Sequence, residues 1–168
     1  MKTLILAMLL TVTTLTARAG NEGPQAAPVQ PKPQIIAQVI QGGGMRPPNV
    51  PHSISIDILA NGQVQETQNY QDGKVKVRAL AKLAPAVLAK IKSLVSEIKD
   101  GELVAVEPDA PACMDAPGTT YIAIHADGQQ AKISATYGCK DYQKADAVSA
   151  DYTLENILSG LRGLAAAR

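Results

Sequence analysis

The sequence predicts an α+β domain, in which a small, mainly antiparallel sheet is covered on one face by two helices and stapled by one disulfide. Segments of alternating apolar and polar residues are joined by Asn-Gly and Asp-Gly pairs, which is typical of antiparallel hairpins. Two other segments repeat apolar residues with the period of about 3.6 residues that marks amphipathic helices. Each helix must bury its apolar stripe, and one face of a sheet can cover both.

The strand signals come first along the domain. The segment from His52 to Leu59 alternates, and its three isoleucines fall on one face. Asn61-Gly62 then predicts a hairpin, because both residues tolerate positive φ. The return segment, residues 63–70, is polar, and this composition favours an edge position. A third strand is predicted over residues 74–80, with three residues directed inward: Val75, Val77 and Ala79.

Two helices are predicted from their apolar stripes. Pro85 suits a first helical position, where its missing N–H costs nothing. The apolar residues that follow it share one face: Val87, Leu88, Ile91, Leu94, Val95 and Ile98. A second stripe lies near the C-terminus: Leu154, Ile157, Leu158, Leu161 and Leu164. Ser149 and Asp151 are the two candidates to cap the start of this second helix.

The chain is organised in four predicted parts. Residues 1–19 have the layout of a secretory signal peptide, with a positive residue, an apolar run and small residues at the cleavage site. The apolar run is about half of the roughly 20 residues that a membrane span needs, so we expect cleavage after Ala19 and no transmembrane anchor thereafter. Residues 20–51, rich in proline and glycine, are predicted to be a linker, followed by an α+β domain over 52–164 and a tail over 165–168. The predicted location is periplasmic or secreted.

One apolar island interrupts the predicted linker, and it contains Ile35, Ile36, Val39 and Ile40. It fits an edge strand or a helical turn of the domain, and it fits a segment that binds a partner equally well. The sequence leaves open whether this island docks on its own domain.

The two cysteines are predicted to form a disulfide. Cys113 and Cys139 flank a predicted hairpin, in which residues 119–126 and 129–137 are joined at Asp127-Gly128. The register of this hairpin leaves the cysteines near its base but about three residues out of alignment. The irregular loop before Thr119 can absorb this offset and bring the Cα atoms within the roughly 7 Å that a disulfide requires. Exported proteins meet an oxidising compartment, which favours pairing. Redox enzymes instead place two cysteines within one short turn, so we expect a structural bond.

Charge and composition argue against several classes of function. Removal of the signal peptide takes the formal net charge from +1 to about −1, which predicts no nucleic-acid partner. Both histidines, His52 and His125, are interpreted as surface residues. With the cysteines paired, too few ligands remain for a zinc site, and we expect no metal and no cofactor. The sequence carries no G-x-S-x-G element or phosphate-binding loop, which favours a protein that is not an enzyme.

The segment between residues 107 and 118 is the predicted contact surface. Its prolines and its cysteine restrict the chain, and preorganisation lowers the cost of binding. We expect a noncatalytic binding module for a protein or an envelope component, whose contact loop is Met114, Asp115, Ala116, Pro117 and Gly118. The alternatives are a protease-inhibitor-like protein that uses this loop, a small enzyme with an unrecognised site, and a loop that is only a stiff connector.

Overall fold

The computed structural model describes residues 34–44, 46–109, 113 and 116–167. The predicted signal peptide, most of the predicted linker, and Met114 and Asp115 of the predicted contact loop lie outside these ranges. Within them, none of the helices is both long enough and apolar enough to cross a membrane.

The described chain forms one sheet of eight antiparallel strands and two helices. In chain order, the elements are β1 Ile35–Gly42, β2 Ser53–Leu59, β3 Gln63–Asn69, β4 Val75–Lys82, α1 Pro85–Glu97, β5 Leu103–Ala105, β6 Gly118–Ile124, β7 Gln130–Tyr137, β8 Lys140–Lys144 and α2 Ser149–Ala166. In space, the strand order is β4-β3-β2-β1-β6-β7-β8-β5. The predicted antiparallel sheet with two helices and one disulfide is therefore present, although the sheet is larger than the sequence suggested.

The apolar island of the predicted linker is the strand β1, which lies in the interior of the sheet. It pairs with β2 on one side and with β6 on the other, for example through Val39, which lies opposite Ile56 and Tyr121. Ala37 and Val39 are almost completely buried. A strand with neighbours on both sides therefore lies before His52, the residue at which the sequence placed the start of the domain.

Both helices cover the same face of the sheet. Pro85 stands at the first position of α1, as predicted, and the buried residues of this helix include Ile91 and Val95. Leu154 and Leu158 are the corresponding fully buried residues of α2. They pack with apolar sheet residues in one core cluster, to which β1, β2, β3, β6 and β7 contribute Val39, Ile56, Ile58, Val64, Ala123 and Ile133.

The predicted inward direction of Val75, Val77 and Ala79 is wrong, because all three residues are exposed. The side chains of Val75 and Val77 are 59% and 60% exposed, because β4 is an outermost strand and these side chains point to the face that lacks helices. Strand β3, which its polar composition assigned to an edge, lies between β2 and β4. Alternation divides a strand into two faces, but it does not show which face a helix covers.

A buried ion pair fixes the start of α2 to strand β8. Lys144 Nζ lies 3.0 Å from Asp151 Oδ2, and both side chains are almost fully buried. The ammonium also donates to the carbonyl of Lys99 at 2.6 Å, and the same carboxylate oxygen accepts the backbone N–H of Val148 at 3.3 Å. The N-cap position is occupied by Val148, so neither predicted candidate, Ser149 or Asp151, is the cap residue. Asp151 stands at the third helical position and accepts the backbone N–H of the cap residue instead.

Candidate functional site

The disulfide joins the predicted contact loop to the turn between β7 and β8. Cys113 and Cys139 are bonded, and their Cα atoms are 5.1 Å apart. Cys139 lies in the two-residue connection between these strands, immediately before Lys140. The pairing agrees with the position near the hairpin base that the register of residues 119–137 predicted.

Two hydrogen bonds join the chain just before the loop, and the first part of the loop, to the start of β8. The backbone N–H of Val106 donates to the carbonyl of Asp141 at 2.9 Å, and Lys140 Nζ donates to the carbonyl of Pro108 at 3.0 Å. Together with the disulfide, they place three attachments on consecutive residues 139–141. The far end of the loop is fixed at Gly118, where β6 begins. Pro108, Cys113 and Gly118 are thus held in place, which lowers the entropy that these residues would lose on binding.

Gly138 allows the loop backbone to approach this turn closely. Its φ of +64° lies in the left-handed region, which a residue with a side chain adopts only under strain. A Cβ atom at this position would also stand only 2.5 Å from the carbonyl oxygen of Cys113. A glycine is therefore required at position 138 for two reasons: its positive φ, and the close approach of the Cys113 backbone.

A shallow, mainly apolar depression of about 420 Å³ lies beside the loop. It is lined by residues of β1, the loop, β6 and the β7–β8 turn: Ile40, Gly42, Gly43, Ala116, Gly118, Thr120, Tyr137 and Gly138. Gly42 and Gly118 lie opposite each other in the sheet, so that part of the lining carries no side chains. Tyr137 is half exposed and packs edge-to-face against Tyr142 at 5.5 Å between ring centroids. The surface offers an aromatic ring beside accessible backbone, which suits contact with another protein.

The structure places part of the predicted contact loop directly at this depression. Ala116 and Gly118 line it, and Pro117 is exposed between them. Met114 and Asp115 fall outside the described ranges. Tyr137 and Lys140 were not among the predicted site residues, although Tyr137 stands two positions before Cys139 and the disulfide could have drawn attention to it.

The two histidines do not form a common site. His52 lies before the start of β2 and His125 just after the end of β6. Both strands run antiparallel to β1, so they point in the same direction and the histidines lie at opposite ends of the strands, at least roughly 25 Å apart. His125 lines a separate depression with Lys92 and Ser96, and no acidic side chain is among its described lining residues.

Two acidic residues of the loop, Glu107 and Asp109, lie in the part of the chain that the structure describes, and they do not belong to a cluster of metal ligands. Glu107 and Asp109 are exposed to solvent. Over the described ranges, no group of three histidine, cysteine, aspartate or glutamate side chains is arranged to hold a metal ion.

Asp57 is a buried carboxylate that the sequence did not single out. It is 2% exposed and lies on the sheet face opposite the helices. It accepts hydrogen bonds from Gln38 Nε2 at 2.6 Å, Thr67 Oγ1 at 3.0 Å and Gln65 Nε2 at 3.3 Å. The donors come from β1 and β3, the two neighbours of β2. We therefore infer that Asp57 holds three strands together. The alternation in the sequence of β2 predicts that Asp57 lies on the polar face, but it does not predict these hydrogen bonds.

No protein-family model matches the chain, and no curated protein is significantly similar to it. The loop, the disulfide and the adjacent depression are therefore the features of the molecule from which a function is inferred.

Proposed function

We propose that the chain is a noncatalytic binding module of the periplasm or the extracellular space. Its contact surface is the loop segment from Cys113 to Gly118 together with the depression beside Tyr137. The observation that carries this proposal is the attachment of the loop to Cys139 by the disulfide and to Lys140 by a hydrogen bond from its side chain. The partner is a protein or a component of the cell envelope.

The chemistry of the surface supports a contact with a protein. The depression is shallow and its lining is mainly apolar, with no charged residue among its described members. Shape and apolar contact, with hydrogen bonds to accessible backbone, are the interactions that it offers. Because Pro108, Cys113 and Gly118 are held before a partner arrives, these residues lose less conformational entropy on binding.

Met114→Asp is expected to weaken capture of the partner about tenfold or more, because it introduces a charge into a segment that contributes apolar contact. The tagged chain is incubated with secreted and envelope proteins, and captured proteins are quantified by mass spectrometry. Val87→Asp is the matched control, since Val87 is 45% exposed on α1, away from the loop. Circular dichroism establishes that both variants are folded.

The proposal is contradicted if the Met114→Asp variant still captures the partner and if a variant with residues 107–112 and 114–118 replaced by glycine and serine also still captures it. The protease-inhibitor alternative is tested with the same protein. An inhibitor slows a purified secreted protease at near-stoichiometric concentration, and Met114→Asp relieves that inhibition.

A further inference from the structure

Strand β4 presents a free edge to solvent. It is the outermost strand of the sheet, and seven of its eight residues are exposed. The N–H of Tyr70 donates to the carbonyl of Lys74 at 2.9 Å, so these two residues form a hydrogen-bonded pair. Hydrogen-bonded and non-hydrogen-bonded pairs alternate along an antiparallel ladder. Val75 and Val77 therefore belong to non-hydrogen-bonded pairs, and their backbone N–H and C=O groups point away from β3. These groups are able to pair with another extended segment.

The two sides of this edge have different chemistry. On the side away from the helices, Val75 and Val77 form an exposed apolar pair. On the helix side, Lys76 and Arg78 alternate with them. Strand β4 contains no acidic residue. Asp72 in the preceding turn lies 2.7 Å from Lys74, whose hydrogen bond lowers the pKa of this carboxyl.

A cationic depression adjoins the helix side of the edge. It has a volume of about 610 Å³, and its lining includes Lys76, Arg78 and Arg162. Glu66 is the acidic member of this lining, and it is already paired with Arg78 at 2.9 Å. Arg162 donates to Thr119 Oγ1 at 3.3 Å, and Lys76 lies 5.1 Å from the ring of Tyr70. A carboxylate that entered from the edge would meet an excess of positive charge.

We propose that β4 accepts an extended acidic segment of a partner protein as an additional strand of the sheet. Alternate residues of that segment are acidic and face Lys76 and Arg78, while the others are apolar and cover Val75 and Val77. The added strand gains backbone hydrogen bonds from the edge and specificity from its side chains. A second copy of this chain is a poor occupant, because pairing β4 with itself sets lysine and arginine against each other.

The test uses an acetylated and amidated eight-residue peptide in which valine and glutamate alternate, and a control peptide with lysine in place of glutamate. Binding to the full chain is followed by NMR. We expect the valine–glutamate peptide to slow exchange of the Val75 and Val77 amide hydrogens, about tenfold when nine-tenths of the protein is bound. We expect no effect from the lysine peptide, and weaker binding at high salt.

Two variants locate the contact. Lys76→Glu should weaken binding of the valine–glutamate peptide roughly three- to tenfold, since it turns an attraction into a repulsion. Val77→Pro should abolish binding while leaving the ladder with β3 formed, because it removes a donor that points outward. Glu97→Lys on α1 is the control for a charge change remote from the edge.

The proposal is overturned if millimolar valine–glutamate peptide leaves both amides unprotected, or if the lysine peptide binds equally well. It is also overturned if the chain alone forms a dimer, seen by sedimentation, that protects the same amides. A Val77→Pro variant that is folded and binds with unchanged affinity would likewise exclude pairing at this edge.

Discussion

Ile91→Ala should lower the free energy of unfolding by about 2–5 kcal/mol, the largest effect that we expect from a single core substitution. Ile91 is completely buried and packs with residues of both helices and the sheet in the core cluster. Truncation removes apolar contact and leaves a cavity that rigid neighbouring strands fill only in part. Urea unfolding followed by circular dichroism measures the change.

Lys92→Ala is the matched control for this prediction. Lys92 is the next residue of α1 and is exposed, so its removal should change the unfolding free energy by less than about 0.5 kcal/mol. Equal effects of the two substitutions would mean that α1 does not bury the face on which Ile91 lies.

Loss of the disulfide is the second large effect. The Cys113→Ser/Cys139→Ser variant should lose about 3.5 kcal/mol of stability by the loop-entropy argument, because the bond closes a sequence separation of 26 residues. For a domain of this size, this corresponds to a decrease in Tm of roughly 10 °C. Differential scanning calorimetry measures it.

The wild-type chain in the presence of a reducing agent provides the control, since it should melt at the temperature of the double variant. A double variant that melts within about 2 °C of the oxidised wild type would contradict the expectation. So would thiol labelling that modifies both cysteines of the native, unreduced protein.

Features encoded by neighbouring residues were predictable from the sequence. The stripe of α1, the turn at Asn61-Gly62 and the hairpin around Asp127-Gly128 each depend on local spacing, and the structure contains all three. The disulfide was predictable for the same reason, because the register of that hairpin determines how far apart the cysteines lie.

Features that depend on distant pairing were not predictable. Strand β1 is interior because it pairs with β6, whose partner residues lie 76 to 86 positions away in the chain. Strand β8, Lys140–Lys144, is mainly polar and has no alternating apolar signal, so it was missed. Its stability comes from pairing with β7 and β5.

For the candidate site, the sequence predicted the loop segment but not the residues that surround it in the structure. Composition and the cysteine pointed to the segment containing Ala116, Pro117 and Gly118. The attachment through Lys140 and Asp141, and the aromatic side chain of Tyr137 beside it, required the position of β8. A local pattern thus identified the loop, whereas the surface around it arose from tertiary structure.

The most direct test of the binding proposal is site-specific photocrosslinking. Tyr137 is replaced by p-benzoylphenylalanine in one variant and Tyr152 in another, since these tyrosines are 50% and 48% exposed and Tyr152 lies on α2. Each folded variant is irradiated in its native compartment, and adducts are resolved by mass. We expect a discrete protein adduct from position 137 and none from position 152. An adduct from position 152 with none from position 137 would contradict the binding proposal.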